Sequence, residues 1–212
     1  MALFLGVEHA VIVMSVAGVA SNLWLVVLHA RYWRHARDLP VLVGGGVVGA
    51  VAGTVALTTV PSRWLSLGLA ILILGYVAVR LRRPHTVIGP RVSVWASPPV
   101  GLLAGGMQGA TGMSGPLLTT YLYSFGLSSS VYIFSLATLF LVLALAQVVT
   151  LVALSAYTST LLVEALLALL PVAAMLPLGS WASRRVGERS FSRVIMATLV
   201  VAAVVLMVRS LG

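Results

Sequence analysis

The chain has no cysteine and no lysine, and only four acidic residues among its 212. Without cysteine there is no disulfide, no thiolate metal site and no cysteine-based sulfur relay. Without lysine, all thirteen basic residues are arginine, a compositional bias that carries little mechanism. Polar sequence is scarce as well. Residues are 60% apolar and 8% charged, and the mean hydropathy of +1.11 exceeds that of ordinary soluble domains. Several apolar runs are long enough to cross a bilayer, so the chain reads as one polytopic membrane domain with no soluble module. A formal charge of +9 would suit a nucleic-acid partner. The arginines, however, lie between apolar runs, where they act as topology signals, and the partner they imply is the lipid bilayer. The first residues mimic a signal peptide around Val19-Ala20-Ser21. They lack a basic start and their apolar run continues to Leu28, so they read as a retained membrane helix.

The expected fold is all-α. Six full crossings are predicted at Val11 to Leu28, Leu42 to Val60, Leu65 to Val79, Val131 to Leu154, Leu161 to Ser180 and Val194 to Met207. A seventh apolar region, Pro98 to Phe125, is interrupted by GGMQGATGMSGP, residues 105–116. Trp33, Trp64, Trp95 and Trp181 fall near segment ends, as interfacial anchors do.

An internal repeat is visible. LGVEHAVIVMSVA from Leu5 lies over FGLSSSVYIFSLA from Phe125 at an offset of 120, and Gly53 to Arg63 lies over Gly179 to Arg189 at an offset of 126. The chain then reads as one membrane transporter domain, 1–212, with a first repeat in 1–90 and a second in 91–212. At offset 120 the first repeat has no counterpart to Ala96 through Thr120, which predicts an incomplete first half whose native start lies upstream of Met1. Loop charge bears on the interrupted segment. If it crosses the membrane, the arginines divide eight to five between the two sides; if it enters and returns, they divide eleven to two. The positive-inside rule favours a re-entrant hairpin, and a hairpin plus three crossings per half makes the halves inverted.

Backbone that leaves helical geometry in hydrocarbon needs cover from protein or a water-filled cavity, so residues 105–116 mark the expected site. Pro116 suits the first position of a half-helix, with Ser114 and Gly115 at its cap and a dipole that favours an anion. Gly109, Gly112 and Gly115 would let backbone approach a ligand, while Gln108, Thr111 and Ser114 offer side-chain hydrogen bonds. The competing reading is a glycine-rich helix crossing, because Gly101, Gly105 and Gly109 repeat at four. Asn22, in phase with Ser15 and Gly18, and the repeat-related Ser135 and Thr138 complete the expected substrate-binding set; for these three, interhelical hydrogen bonding is the alternative.

Elsewhere the readings are structural. Gly45, Gly49 and Gly53 form a packing ridge. Pro171 and Pro177 predict a kink or break in the fifth crossing. Glu164 is the one acid inside a span; it could relay protons or snorkel to the interface. His9, His29, His35 and His85 show no metal-ligand spacing, and neither a metal nor a cofactor is expected.

The break, the following Phe125-Gly126-Leu127 and the Ser135-x-Ala137-Thr138 helix resemble the TauE/SafE family of membrane transporters. Leu5-Gly6-Val7, its helix and the basic loop from Arg31 are similar to that family's first half. The resemblance implies a bacterial inner-membrane, multi-pass carrier for sulfite, organosulfonates and related small anions. The chain departs from the pattern by lacking the first half's glycine-rich opening element. One alternative is a non-transporting membrane subunit or remnant, which predicts no cavity at the break. Another is an intramembrane serine protease, since Gly112-Met113-Ser114-Gly115 matches a rhomboid GxSG motif; no histidine follows Ser114 to act as its base. The expected protein is therefore a transporter and not an enzyme. Substrate, coupling ion, direction and the choice between monomer and homo-oligomer stay open at this point.

Overall fold

Long apolar runs can satisfy their own backbone groups in hydrocarbon as helices, and every described element is helical. The computed structural model describes residues 7–36, 39–61, 64 and 90–185. Helix α1 (Val7–Leu28) leads through a 3-10 turn (Ala30–His35) to α2 (Leu39–Thr59). Then come α3 (Pro90–Thr111), α4 (Gly115–Tyr123), α5 (Ser129–Ala153) and α6 (Ser159–Arg185). His9–Leu28, Leu39–Thr59 and Ser129–Ala153 are long and apolar enough to cross a membrane unaided, and α6 is apolar over Ser159–Met175. The expected crossings at 65–79 and 194–207 lie outside the described residues. Of the kink or break expected in the fifth crossing, the break is absent, since α6 runs as one helix through Pro171 and Pro177. Each proline removes one ladder bond, and the flanking turns keep the helix together. Likewise α3 starts at Pro90, ahead of the expected start at Pro98, and carries Pro98 and Pro99 inside it.

The closest packing is a seam of backbone on backbone between α2 and α3. A Cβ on Gly49 would land on the carbonyl of Leu102, one on Gly105 on that of Gly46, and one on Gly109 on that of Ala50. Only glycine lets two helices approach so closely. Contacts run Leu42 to Gly101, Gly46 to Gly105 and Gly53 to Ala110, so the two helices are parallel. The ridge at Gly45, Gly49 and Gly53 is thus a packing surface, and so is the stripe at Gly101, Gly105 and Gly109. Gly109 faces α2 rather than a ligand.

After the break the chain turns back. The Tyr121 hydroxyl of α4 lies 2.9 Å from the Ser97 hydroxyl of α3. Ser97 stands ~21 Å along α3 from Thr111 at 1.5 Å per residue, so a helix continuing past the break could not reach it. Residues 90–123 therefore form a helical hairpin. Helix α5 then runs beside α3 in the same direction, with Tyr132 bonded to the Thr119 carbonyl and Gln147 to that of Gln108.

Helix α1 runs antiparallel to α5. Val11, near its start, packs with Leu151 near the end of α5. The 3-10 turn after α1 packs on the other end of α5. There Ser130, and then Arg31, hold the phenol of the partly buried Tyr32 below its ordinary range by hydrogen bonding. The turn carrying Arg31 and Arg34 thus stands at the end of the bundle where the hairpin opens and α5 begins. The hairpin's tip stands at the other end. Ala110 packs with Val11, Leu57 and Leu151, the last two each a couple of residues from the end of their helices. Trp33, Trp64 and Trp95 are all exposed, as belt residues are.

Candidate functional site at the hairpin tip

The helix stops at Thr111 because Gly112 takes a left-handed conformation, φ +70°. Its N–H closes a last bond of 2.7 Å to the Gln108 carbonyl, an arrangement that leaves later carbonyls of α3 unpaired. Gln147 of α5 meets that need. It is fully buried, and its Nε2 donates to the carbonyls of Gln108 at 3.0 Å and Gly109 at 3.1 Å. Its Oε1 accepts from Gln108 Nε2 at 3.3 Å. The Gln108 Oε1 in turn accepts from the Ser114 hydroxyl at 2.8 Å. Ser114, Gln108 and Gln147 thus form one directed chain of hydrogen bonds across the tip. Thr111 closes the turn from the other side, donating to the Met107 carbonyl at 2.6 Å and accepting the Met113 N–H at 3.3 Å.

Ser114 is the N-cap of α4, but its side chain makes no cap bond, being turned to Gln108 instead, and a proline follows within the first turn. The first N–H groups of a helix have no intrahelical partner, and the aligned peptides put partial positive charge there. They end beside a cavity of ≈ 460 Å³, a size usual for small-molecule sites. The cavity is lined by α1 from Ala10 to Asn22, by residues 111–115 with Gln108, and by Phe140, Ala144 and Gln147 of α5. Its length along α1 is ~18 Å at 1.5 Å per residue. Among the described residues no charged side chain lines it.

Of the expected binding set, the structure brings six residues together around this cavity: Gln108, Thr111, Gly112, Ser114, Gly115 and Asn22. Asn22 donates to the Gly18 carbonyl at 2.8 Å. Ser135 and Thr138 do not line it. On α5 they lie opposite Phe140, Ala144 and Gln147 at 100° per residue. Thr138 donates to its own helix, at the Phe134 carbonyl, while the Ser135 hydroxyl is buried with no partner among the described residues. Two polar groups outside that set also belong here. Gln147 is the sole amide in an otherwise apolar helix, and its spacing from Phe140 and Ala144 was the available signal. Ser15 lines the cavity and shares a 2.6 Å hydrogen bond with Tyr157 in the α5–α6 loop. Burial holds the Tyr157 phenol above its ordinary range, against the smaller opposing effect of the Ser15 hydrogen bond, so it stays protonated where a free phenol ionises.

Among the described residues Ser114 has no base against it, its partner being a neutral amide oxygen. No group of three or more metal-ligating side chains gathers among the described residues. A helical membrane bundle with an interrupted hairpin, whose half-helix points its N-terminus into a cavity, has the architecture of a carrier. The chain belongs to the sulfite exporter TauE/SafE family, whose profile matches residues 1–206, and is a membrane transporter of that family. No curated protein and no solved structure matches it.

Proposed function

We propose that this transporter carries a small anion, of the sulfite or organosulfonate class, through the cavity at the hairpin tip. The observation that carries this reading is the directed chain Ser114–Gln108–Gln147. It holds the start of α4 against a cavity that, among the described residues, has no charged lining side chain. An anion there meets peptide N–H groups, hydroxyls and amides, a neutral donor set suited to modest affinity and ready release. The cavity also speaks against a non-transporting subunit, which has no use for one at the break.

The test is uptake of labelled isethionate and sulfite into everted membrane vesicles. Ser114→Ala removes the donor to Gln108 and is expected to slow uptake about tenfold, the equivalent of one lost hydrogen bond to a polar or charged group. Equal movement of all small anions by wild type and variant would defeat the reading.

The same proposal includes a bacterial inner-membrane location, six crossings and two inverted halves. What supports inversion is that α1 and α5, aligned by the repeat, run antiparallel, and that α2 and α6 begin 120 residues apart at Leu39 and Ser159. The chain's freedom from cysteine makes labelling clean. Arg34→Cys and Ser128→Cys are expected to react with an impermeant maleimide from the cytoplasmic side, and Thr158→Cys from the opposite side. Labelling of positions 34 and 128 from different sides would rule out this topology.

A further inference from the structure

Two polar pairs tie the first turns of α1 to the second half of the chain. One is Ser15 with Tyr157. The other is His9 Nε2 with Glu164 Oε2, 2.7 Å apart, both partly exposed. Glu164 is the only carboxylate among the described side chains. A carboxylate accepts only, so the Nε2–H donates and the other ring nitrogen, Nδ1, is left to take a proton. Ala10 and Val11, the next residues of the same turn, line the cavity.

We propose that the His9–Glu164 pair is the proton site that couples proton movement to anion movement, an inference that rests on the anion-carrier reading above. Without the extra proton the pair carries one negative charge; with a proton on Nδ1 it carries none. An anion in the adjoining cavity is repelled by the first state and not by the second. Proton and anion therefore favour each other's binding, and by linkage the effect is reciprocal. One turnover moves one monovalent anion with one proton and no net charge. The other titratable groups on the elements around the pair are few. Tyr157 is bonded to Ser15, and Tyr132 stands at the far end of α5. The side chains of Glu8, Arg91, Arg184 and Arg185 lie outside the described residues.

The experiment uses purified protein in liposomes with labelled isethionate, whose sulfonate does not titrate and cannot itself carry the proton. For wild type, an isethionate gradient should acidify or alkalinise an internal pH dye with the anion, and a valinomycin-clamped potential should not drive uptake. His9→Gln keeps a hydrogen bond between α1 and α6 and removes the ring nitrogen that takes the proton. It is expected to exchange isethionate across the membrane while pH-driven accumulation falls at least about tenfold. Uptake should also become responsive to potential, because the anion then travels alone. Wild-type transport without proton movement, or a variant that accumulates like wild type, would overturn the proposal. Loss of exchange together with accumulation would assign the pair a purely structural role and also overturn it. Absence of any isethionate or sulfite movement in wild type would instead sink the carrier reading itself.

Discussion

Gly105→Val is expected to abolish assembly of the bundle, while Gly106→Ala, one residue away, leaves it intact. A Cβ at 105 would fall on the Gly46 carbonyl, and both atoms are backbone that cannot rotate away. The helices would have to part by ~1 Å or more to restore contact, and a gap of that size forfeits about half the dispersion energy of the atoms it separates. Membrane helices have no hydrophobic effect between them to offset that loss. At position 106 a Cβ would find, among the described residues, only the Gly49 carbonyl, at 3.9 Å, an ordinary contact. Alanine there should even stabilise the helix by about 0.5–1 kcal/mol, because glycine loses more chain entropy. Size-exclusion chromatography and thermal stability in detergent would compare the two. An aggregated Gly106→Ala, or a monodisperse Gly105→Val of wild-type stability, would refute the account of the seam.

Gln147→Leu is expected to leave a folded protein that transports at least tenfold more slowly. The substitution keeps much of the volume but removes two donors and an acceptor. The Gln108 carbonyl retains the Gly112 N–H, but the Gly109 carbonyl and the Gln108 amide lose the Gln147 side chain. A buried polar group left without a partner costs about 1–3 kcal/mol, and 1.4 kcal/mol is already tenfold in an equilibrium. The seam between α2 and α3 does not involve Gln147, so the loss falls on the tip and not on assembly. Gln147→Glu should be worse, since a carboxylate would replace the amide donor against two carbonyl oxygens. Isethionate uptake, normalised to folded protein in the membrane, measures both. Wild-type transport by Gln147→Leu would show that the hydrogen-bond chain does not position the tip.

Much of the architecture was legible. Residues 112–116, Gly-Met-Ser-Gly-Pro, contain a left-handed stop, a cap and a proline start, and the structure breaks the helix there. Loop arginines anticipated a segment that returns, and the Ser97–Tyr121 contact follows from one. The two readings of the glycines proved compatible, because those at 101, 105 and 109 face α2 while Gly112 and Gly115 face the cavity. Partnership across the chain was not legible. Glu164 was recognised as the acid within a span and His9 as a histidine without metal-ligand spacing, but 155 residues separate them and nothing local joins the two. Ser135 and Thr138 were chosen because they align with the cavity-lining face of α1. Residues matched by a repeat occupy equivalent places, however, and equivalent places about antiparallel helices are not the same place. Proline counted for less than expected in α6, where the surrounding ladder carried the helix through.

The backbone seam has a mechanical consequence. Two helices whose peptide groups touch cannot slide or roll past each other without first separating, so α2 and α3 must travel as one piece. The hairpin tip belongs to that piece, as does everything it presents to the cavity. Helix α1, by contrast, meets α3 only sparsely and is fastened mainly to α5 and α6. The cavity therefore lies between that piece and α1, and any motion that opens it to one side or the other has to pass through the polar contacts at its rim rather than through the seam.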